Sequence, residues 1–156
     1  MKIAIGNDHV GYQLKQIIIP LLESRGLHVE DFGCYDDAIA QYPVYADRVA
    51  QAIVSGECDK GILICGTGAG MEIAANKIKG IRAVCCSEPY TAKMATEHNN
   101  ANIICFGARV VGPEMAKMIV EAYLDASYET RHQVRIDMIT EMEQTNRLHQ
   151  MIPDNE

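Results

Sequence analysis

The chain has 156 residues, 48% of them hydrophobic and 22% charged, with a formal net charge of −7. That suffices for one domain with a full core, and the acidic balance argues against nucleic acid as a partner, because gripping a polyphosphate takes a net basic face. No apolar run nears the roughly 20 residues that span a bilayer, and Met1 leads into a strand pattern without a signal-peptide layout, so a cytoplasmic protein with no membrane partner is expected.

Lys2–Gly6 is a short apolar strand, and Tyr12–Arg25 carries apolar residues at helical spacing until Gly26 breaks it. Leu27–Phe32 forms a second strand, followed by a loop over Gly33–Gln41. Pro43 suits the first turn of a helix from about Val44 to Ser55, which Gly56 ends. Gly61–Cys65, Ile81–Cys85 and Ala101–Phe106 are the third, fourth and fifth strands, with helices near Met71–Lys77 and Pro89–Glu97 between them. A helix follows Gly112-Pro113 through about Asp125, and a last one runs from Arg131 to Leu148.

Strands alternating with helices of this size predict βαβ units in an α/β, Rossmann-like three-layer sandwich on a five-stranded parallel sheet. Residues 1–150 are expected to form the single domain and 151–156 a flexible tail. The last helix comes after the sheet faces are already covered. Its stripe of Val134, Met138, Ile139, Met142 and Leu148 suits either its own domain or, as we favour, a partner subunit.

The chemistry centres on Gly61-Ile62-Leu63-Ile64-Cys65-Gly66-Thr67-Gly68-Ala69-Gly70, an apolar strand ending in cysteine and opening into a glycine-rich turn. In open α/β sheets ligands bind at the carboxyl ends of the strands, and glycines let backbone N–H groups approach an anion. A cysteine at a strand end is most often buried packing. Beside a helix N-terminus and several amides it can instead serve as a thiolate base, with the amides holding a developing oxyanion. The remaining cysteines, Cys34, Cys58, Cys85, Cys86 and Cys105, form no C-x-x-C pair, and all six are expected to be reduced.

Asp8 and His9 follow the first strand and share that edge. Asp8 suits either a helix cap or a contact to a sugar hydroxyl. His98 and Asn99 precede the fifth strand, in a polar run that commonly is only a solvated loop, and Arg109 follows that strand. Histidine is a residue type suited to acid–base work near neutral pH, but His98 lies at the opposite end from Cys65 and would have to reach that site from another subunit. Arg131 and Arg135 lie one helical turn apart and could fork onto a phosphate. No His, Cys, Asp or Glu group has metal-ligand spacing.

Together these stretches closely resemble the ribose-5-phosphate isomerase type B family, which includes galactose-6-phosphate isomerase subunits. The likeness covers about Met1 to Glu143. Its segments are Gly6-Asn7-Asp8-His9, Tyr42-Pro43, Cys65–Gly70, Ala74-Ala75-Asn76-Lys77, Gly80-Ile81-Arg82-Ala83, His98-Asn99, Phe106–Gly112 and Arg131-His132-x-x-Arg135.

The resemblance implies a metal-free, cofactor-free aldose–ketose isomerase acting on an open-chain sugar phosphate through a cis-enediolate. It implies that Cys65 moves the proton between C1 and C2, while Gly66, Gly68, Ala69 and Gly70, with Thr67, hold the enediolate oxygen. It also implies ring opening by His98, sugar contacts from Asn99, Asp8, His9 and Tyr42, and a phosphate ringed by His9, Arg109, Arg131 and Arg135. Family members are dimers with shared sites, so a homodimer, or a dimer of such dimers, is expected.

Two departures bear on this. Gln41-Tyr42-Pro43-Val44-Tyr45 stands where many relatives carry Asp-Tyr-Pro-Asp-Tyr, which opens the sugar to ribose 5-phosphate, galactose or allose 6-phosphate, or a tetrose 4-phosphate. Other relatives use a glutamate directly after the glycine loop. Here that position is Met71, and Glu72 one residue on is turned by about 100° on a helix. Two other classes fit less well. A nucleotide-binding module wants Gly-x-Gly-x-x-Gly after the first strand, which Gly6–Gly11 does not supply, and a non-catalytic subunit would lack Cys65 or His98.

Overall fold

A computed structural model describes residues 1–148. The elements in chain order are β1 (Lys2–Asn7), α1 (Tyr12–Ser24), β2 (His28–Asp31), α2 (Tyr42–Val54), β3 (Lys60–Cys65), α3 (Ala69–Ala75), β4 (Ala83–Cys85), α4 (Pro89–Glu97), β5 (Ile103–Gly107), α5 (Pro113–Asp125) and α6 (Gln133–Thr145). All five strands are parallel, in the order β2-β1-β3-β5-β4.

Period-2 alternation builds the layers. Ile3 and Ile5 of β1, Ile62 and Ile64 of β3, and Ile104 and Phe106 of β5 join α1 and α5 in one core. Ala4, Leu63, Cys65, Ile103 and Cys105 face the other way, into a core with α2 and α3. Strands covered on both faces read as continuous apolar runs, as the sequence of β3 and β5 does. The chain leaves β1 toward β2 on one side and returns to β3 on the other. The sheet therefore reverses direction between β1 and β3, and the loops after these two strands share the crevice.

The expected elements are present with shifted ends. The last helix differs most, because Arg131 belongs to a 3-10 turn over Thr130–His132 rather than to α6. The His132 N–H closes that turn on the Glu129 carbonyl at 3.0 Å. At the other end Asn146 adopts a left-handed conformation, φ 61°, which stops the helix at Thr145. Of the stripe expected to be apolar and covered, Val134, Ile139, Met142 and Leu148 are exposed, whereas Ile136, which lies off that stripe, is buried. The expected tail, 151–156, lies outside the described residues. No described helix is long and apolar enough to cross a membrane.

Candidate active site

At the carboxyl edge of the sheet, Cys65 ends β3 only 5% exposed. Its Sγ accepts a hydrogen bond from the Gly68 N–H at 3.1 Å. Gly68 has φ +86°, and a Cβ there would lie 2.6 Å from Cys85 Sγ and 3.0 Å from the Phe106 backbone, so the turn can close only around glycine. The chain beyond β5 fastens the turn from the side. Ala108 N–H donates to the Cys65 carbonyl at 2.8 Å and Arg109 N–H to the Gly66 carbonyl at 3.1 Å.

The turn is thus held by main-chain bonds while Thr67 and Ala69 remain exposed at its rim. Burial pushes the thiols of Cys58, Cys85 and Cys105 up, and that of Cys86 up to about 12, so these four serve as protonated packing groups.

The first loop meets the same edge. Asp8 N–H donates to the Ile64 carbonyl at 3.1 Å, beside Cys65. Its Oδ1 accepts from Val10 and Gly11 N–H at 2.9 and 3.1 Å, so Asp8 does cap the following turn while sitting buried in the crevice. His9 Nδ1 accepts from Ala40 N–H at 3.4 Å, leaving the Nε2–H as the donor of the neutral ring.

The β2–α2 loop that carries Ala40 is tied down by Lys15, a residue with 0% exposure. Its Nζ donates to Asp31 Oδ1 and to the Cys34 carbonyl, each at 2.8 Å. The Tyr42 ring lies 3.0 Å from where a Cβ on Gly70 would sit, and the Arg109 guanidinium lies within 3.9 Å of the corresponding point on Gly66. Glu72 Oε1 accepts the Cys85 N–H at 3.0 Å, which commits it to the end of β4.

The remaining expected residues gather at the opposite edge. Cys65 pairs with Gly107 and Gly61 with Ile103, so β5 itself separates His98 from Cys65. At about 3.3 Å per residue that strand alone keeps them more than ~10 Å apart. His98 joins Arg131, Arg135 and His132, a residue that the site expectation omitted. One oxygen, Glu129 Oε2, collects this group: Arg131 Nη2 at 2.5 Å and Nε at 2.8 Å, His132 Nε2 at 3.4 Å and His98 Nε2 at 3.9 Å. The two imidazole centroids are 4.4 Å apart.

Arg135 Nη1 lies 2.9 Å from His132 Nδ1. Arginine can only donate, so Nδ1 accepts and the proton sits on Nε2. That Nε2 is buried without a hydrogen-bond partner, on a residue 6% exposed. Burial, then Arg131, His98 and Arg135, hold His132 below the ordinary histidine value, and the Arg131 hydrogen bond holds Glu129 below the usual carboxylate range. Asn99 stands nearby, lining a cleft of about 240 Å³ with Asn76, Arg82, Val84 and Ile139.

His98, Glu129 and His132 bring three ligand-capable atoms within 4.8 Å of one another. Two guanidinium groups flank them, and in the neutral tautomer fixed by Arg135 the His132 Nε2 carries a proton and offers no lone pair. The signal for His132 was its place in Arg131-His132-x-x-Arg135, three residues from the arginine that fixes its tautomer.

A parallel α/β sheet with a thiol above an amide-lined turn at its switch point, and a separate cationic cluster, defines an enzyme class that acts on small anions. Residues 3–139 match the model of the ribose/galactose isomerase family, and the chain belongs to that family. It is 56% identical to Escherichia coli ribose-5-phosphate isomerase B over 144 residues, 92% of this chain and 97% of that protein. It is 46% identical to the D-erythrulose-4-phosphate isomerase of Pectobacterium atrosepticum over 132 residues, 83% and 86% of the two chains. The solved structure of Clostridium thermocellum ribose-5-phosphate isomerase B superposes with TM-score 0.92 at 49% identity, covering 94% of this chain and all of that one.

Proposed function

We propose that the chain interconverts ribose 5-phosphate and ribulose 5-phosphate through a cis-enediolate, with Cys65 as the base. The observation that carries this is the Cys65 sulfur held by the Gly68 N–H at the mouth of the turn. The sulfur removes the C2 proton of the open-chain aldose, and the electron pair moves toward O1. The turn amides with Thr67 stabilise the oxyanion. The same sulfur returns the proton at C1 while the O2 proton passes to O1, leaving the ketose. Asp8, His9, Tyr42 and Asn99 orient the sugar.

His98 opens the furanose, and Arg131 and Arg135 join Arg109 and His9 on the phosphate. Within one chain the two groups stand at opposite sheet edges, so a complete site takes the Cys65 edge from one copy and the His98 edge from another. A homodimer with two such sites also gives the exposed apolar face of α6 a surface to cover. A thiol base needs a reducing compartment, and all six cysteines are free, which fits the cytoplasm.

A second reading keeps the chemistry and changes the sugar. Gln41 and Val44 flank Tyr42, whose ring covers Gly70, so the wall of the crevice differs where a longer or shorter sugar would lie. Initial rates with ribose 5-phosphate, galactose 6-phosphate, allose 6-phosphate and erythrulose 4-phosphate test this. We expect the highest kcat/KM with ribose 5-phosphate; a higher value with another sugar reassigns the substrate, and no turnover with any removes the isomerase reading.

A further inference from the structure

We propose that the Glu129 carboxylate is a built-in stand-in for the substrate's phosphate, occupying the cationic cluster until a phosphate ester displaces it. This rests on the reading above that Arg131 and Arg135 meet that phosphate, with His132 held against Arg135 beside them. Glu129 Oε2 alone takes both Arg131 contacts, at 2.5 and 2.8 Å, and faces His132 Nε2 at 3.4 Å and His98 Nε2 at 3.9 Å. One oxygen cannot satisfy all these donors. The buried His132 Nε2–H is left without a bond, a costly state for a donor away from water. A phosphate dianion offers three terminal oxygens and twice the charge, so it satisfies the arginine and the His132 imidazole together.

The exchange needs little movement. Glu129 is anchored through its main chain, N–H to the Glu97 carbonyl at 2.9 Å and carbonyl to the His132 N–H at 3.0 Å. Its side chain is 39% exposed and that of Arg131 67% exposed, so the carboxylate leaves by rotating into water. An ion pair this exposed adds little to the fold. Its effect falls on affinity, because every phosphate that enters must first displace an internal anion. A monoanion matches Glu129 in charge and gains no advantage over it, so the same contact favours dianionic ligands.

The test compares wild type, Glu129→Gln, Glu129→Ala and Arg131→Ala, using inorganic phosphate as a competitive inhibitor and ribose 5-phosphate as substrate, with Tm recorded for each. Both Glu129 variants should lower the phosphate Ki and the KM on the order of three- to fivefold, the scale of an exposed ion pair. Arg131→Ala should raise both. If phosphate binds no more tightly to either Glu129 variant while Arg131→Ala weakens it, Glu129 is only a brace for Arg131 and the proposal is overturned. If Arg131→Ala leaves the phosphate Ki unchanged, the phosphate reading of the cluster fails and takes the proposal with it. A purely structural Glu129 would lower Tm without tightening phosphate.

Discussion

The two edges of the sheet are built by different means. At the Cys65 edge the positions are set by main chain: Asp8 to Ile64, Ala108 to Cys65 and Arg109 to Gly66 are backbone hydrogen bonds, and the sulfur itself takes an amide. At the His98 edge main-chain bonds hold Glu129 to Glu97 and close the 3-10 turn, but the charged groups, drawn from the end of α4, that turn and α6, meet only through side chains around Glu129 and His132. Proton transfer at carbon tolerates little displacement of the base, whereas capture of a charged group works with long side chains that reach and adjust. On the proposed reading the proton transfer at carbon belongs to the first edge, and ring opening with part of the phosphate grip to the second.

The sharpest way to break that contrast is Cys65→Ala. Loss of the acid–base group should lower kcat by roughly 10²- to 10⁴-fold with a far smaller change in KM. Near-normal turnover would move the chemistry elsewhere and reopen Glu72.

A second experiment asks whether the edges cooperate across copies. Inactive Cys65→Ala and His98→Asn proteins, mixed under subunit exchange, should recover about a quarter of wild-type sites. Half of the dimers in an equal random mixture are heterodimers, each with one intact site of two. Heterodimers that form without activity would rule out shared sites.

Gly68→Ala probes the main-chain edge more gently. A left-handed conformation costs a non-glycine residue about 1–2 kcal/mol, and the new methyl would press on Cys85 Sγ. We expect a lower Tm and about a tenfold loss in kcat, comparable in size to that strain. Adding Cys85→Ala should restore part of both; no rescue would mean that the contact to the Phe106 backbone dominates.

The smallest effect belongs to the other edge. Burial and the groups around it, Arg131, His98 and Arg135, hold His132 below its ordinary 6.5, opposed by Glu129. The unfolded chain therefore takes up this proton first. The contribution is fully present above pH of about 6.5 and is lost as pH falls through the lower folded value. Tm measured from pH 7.5 to 5.5 should fall less steeply for His132→Asn than for wild type. Parallel slopes would show that other groups carry the pH dependence.

Much of this architecture can be read from residues. Apolar runs bounded by glycine and proline locate β1, β3 and β5, and Pro89 to Glu97 is a helix as expected. Cys65 before five turn residues is a local pattern, and local patterns survive into structure. What escaped reading was made by contacts between distant segments. Glu129 reaches its place because its N–H finds Glu97, thirty-two positions earlier, and no periodicity encodes that pairing. The start of α6 was misplaced because a 3-10 turn closed on Glu129 intervenes, and helical spacing does not distinguish the two. Ile136 is buried although the stripe counted from Val134 omits it, since what covers a helix depends on its neighbours.

Lys15 gives the molecule a chemical clock. Its amine has no exposed surface and is held between Asp31 and the Cys34 carbonyl beneath the loop that carries Ala40 and leads to Tyr42. An amine-reactive ester can acylate it only when that loop lifts, while exposed lysines such as Lys93 react at once. The acylation rate of this one residue, followed by mass spectrometry with and without ribose 5-phosphate, therefore reports how often the wall beside His9 opens.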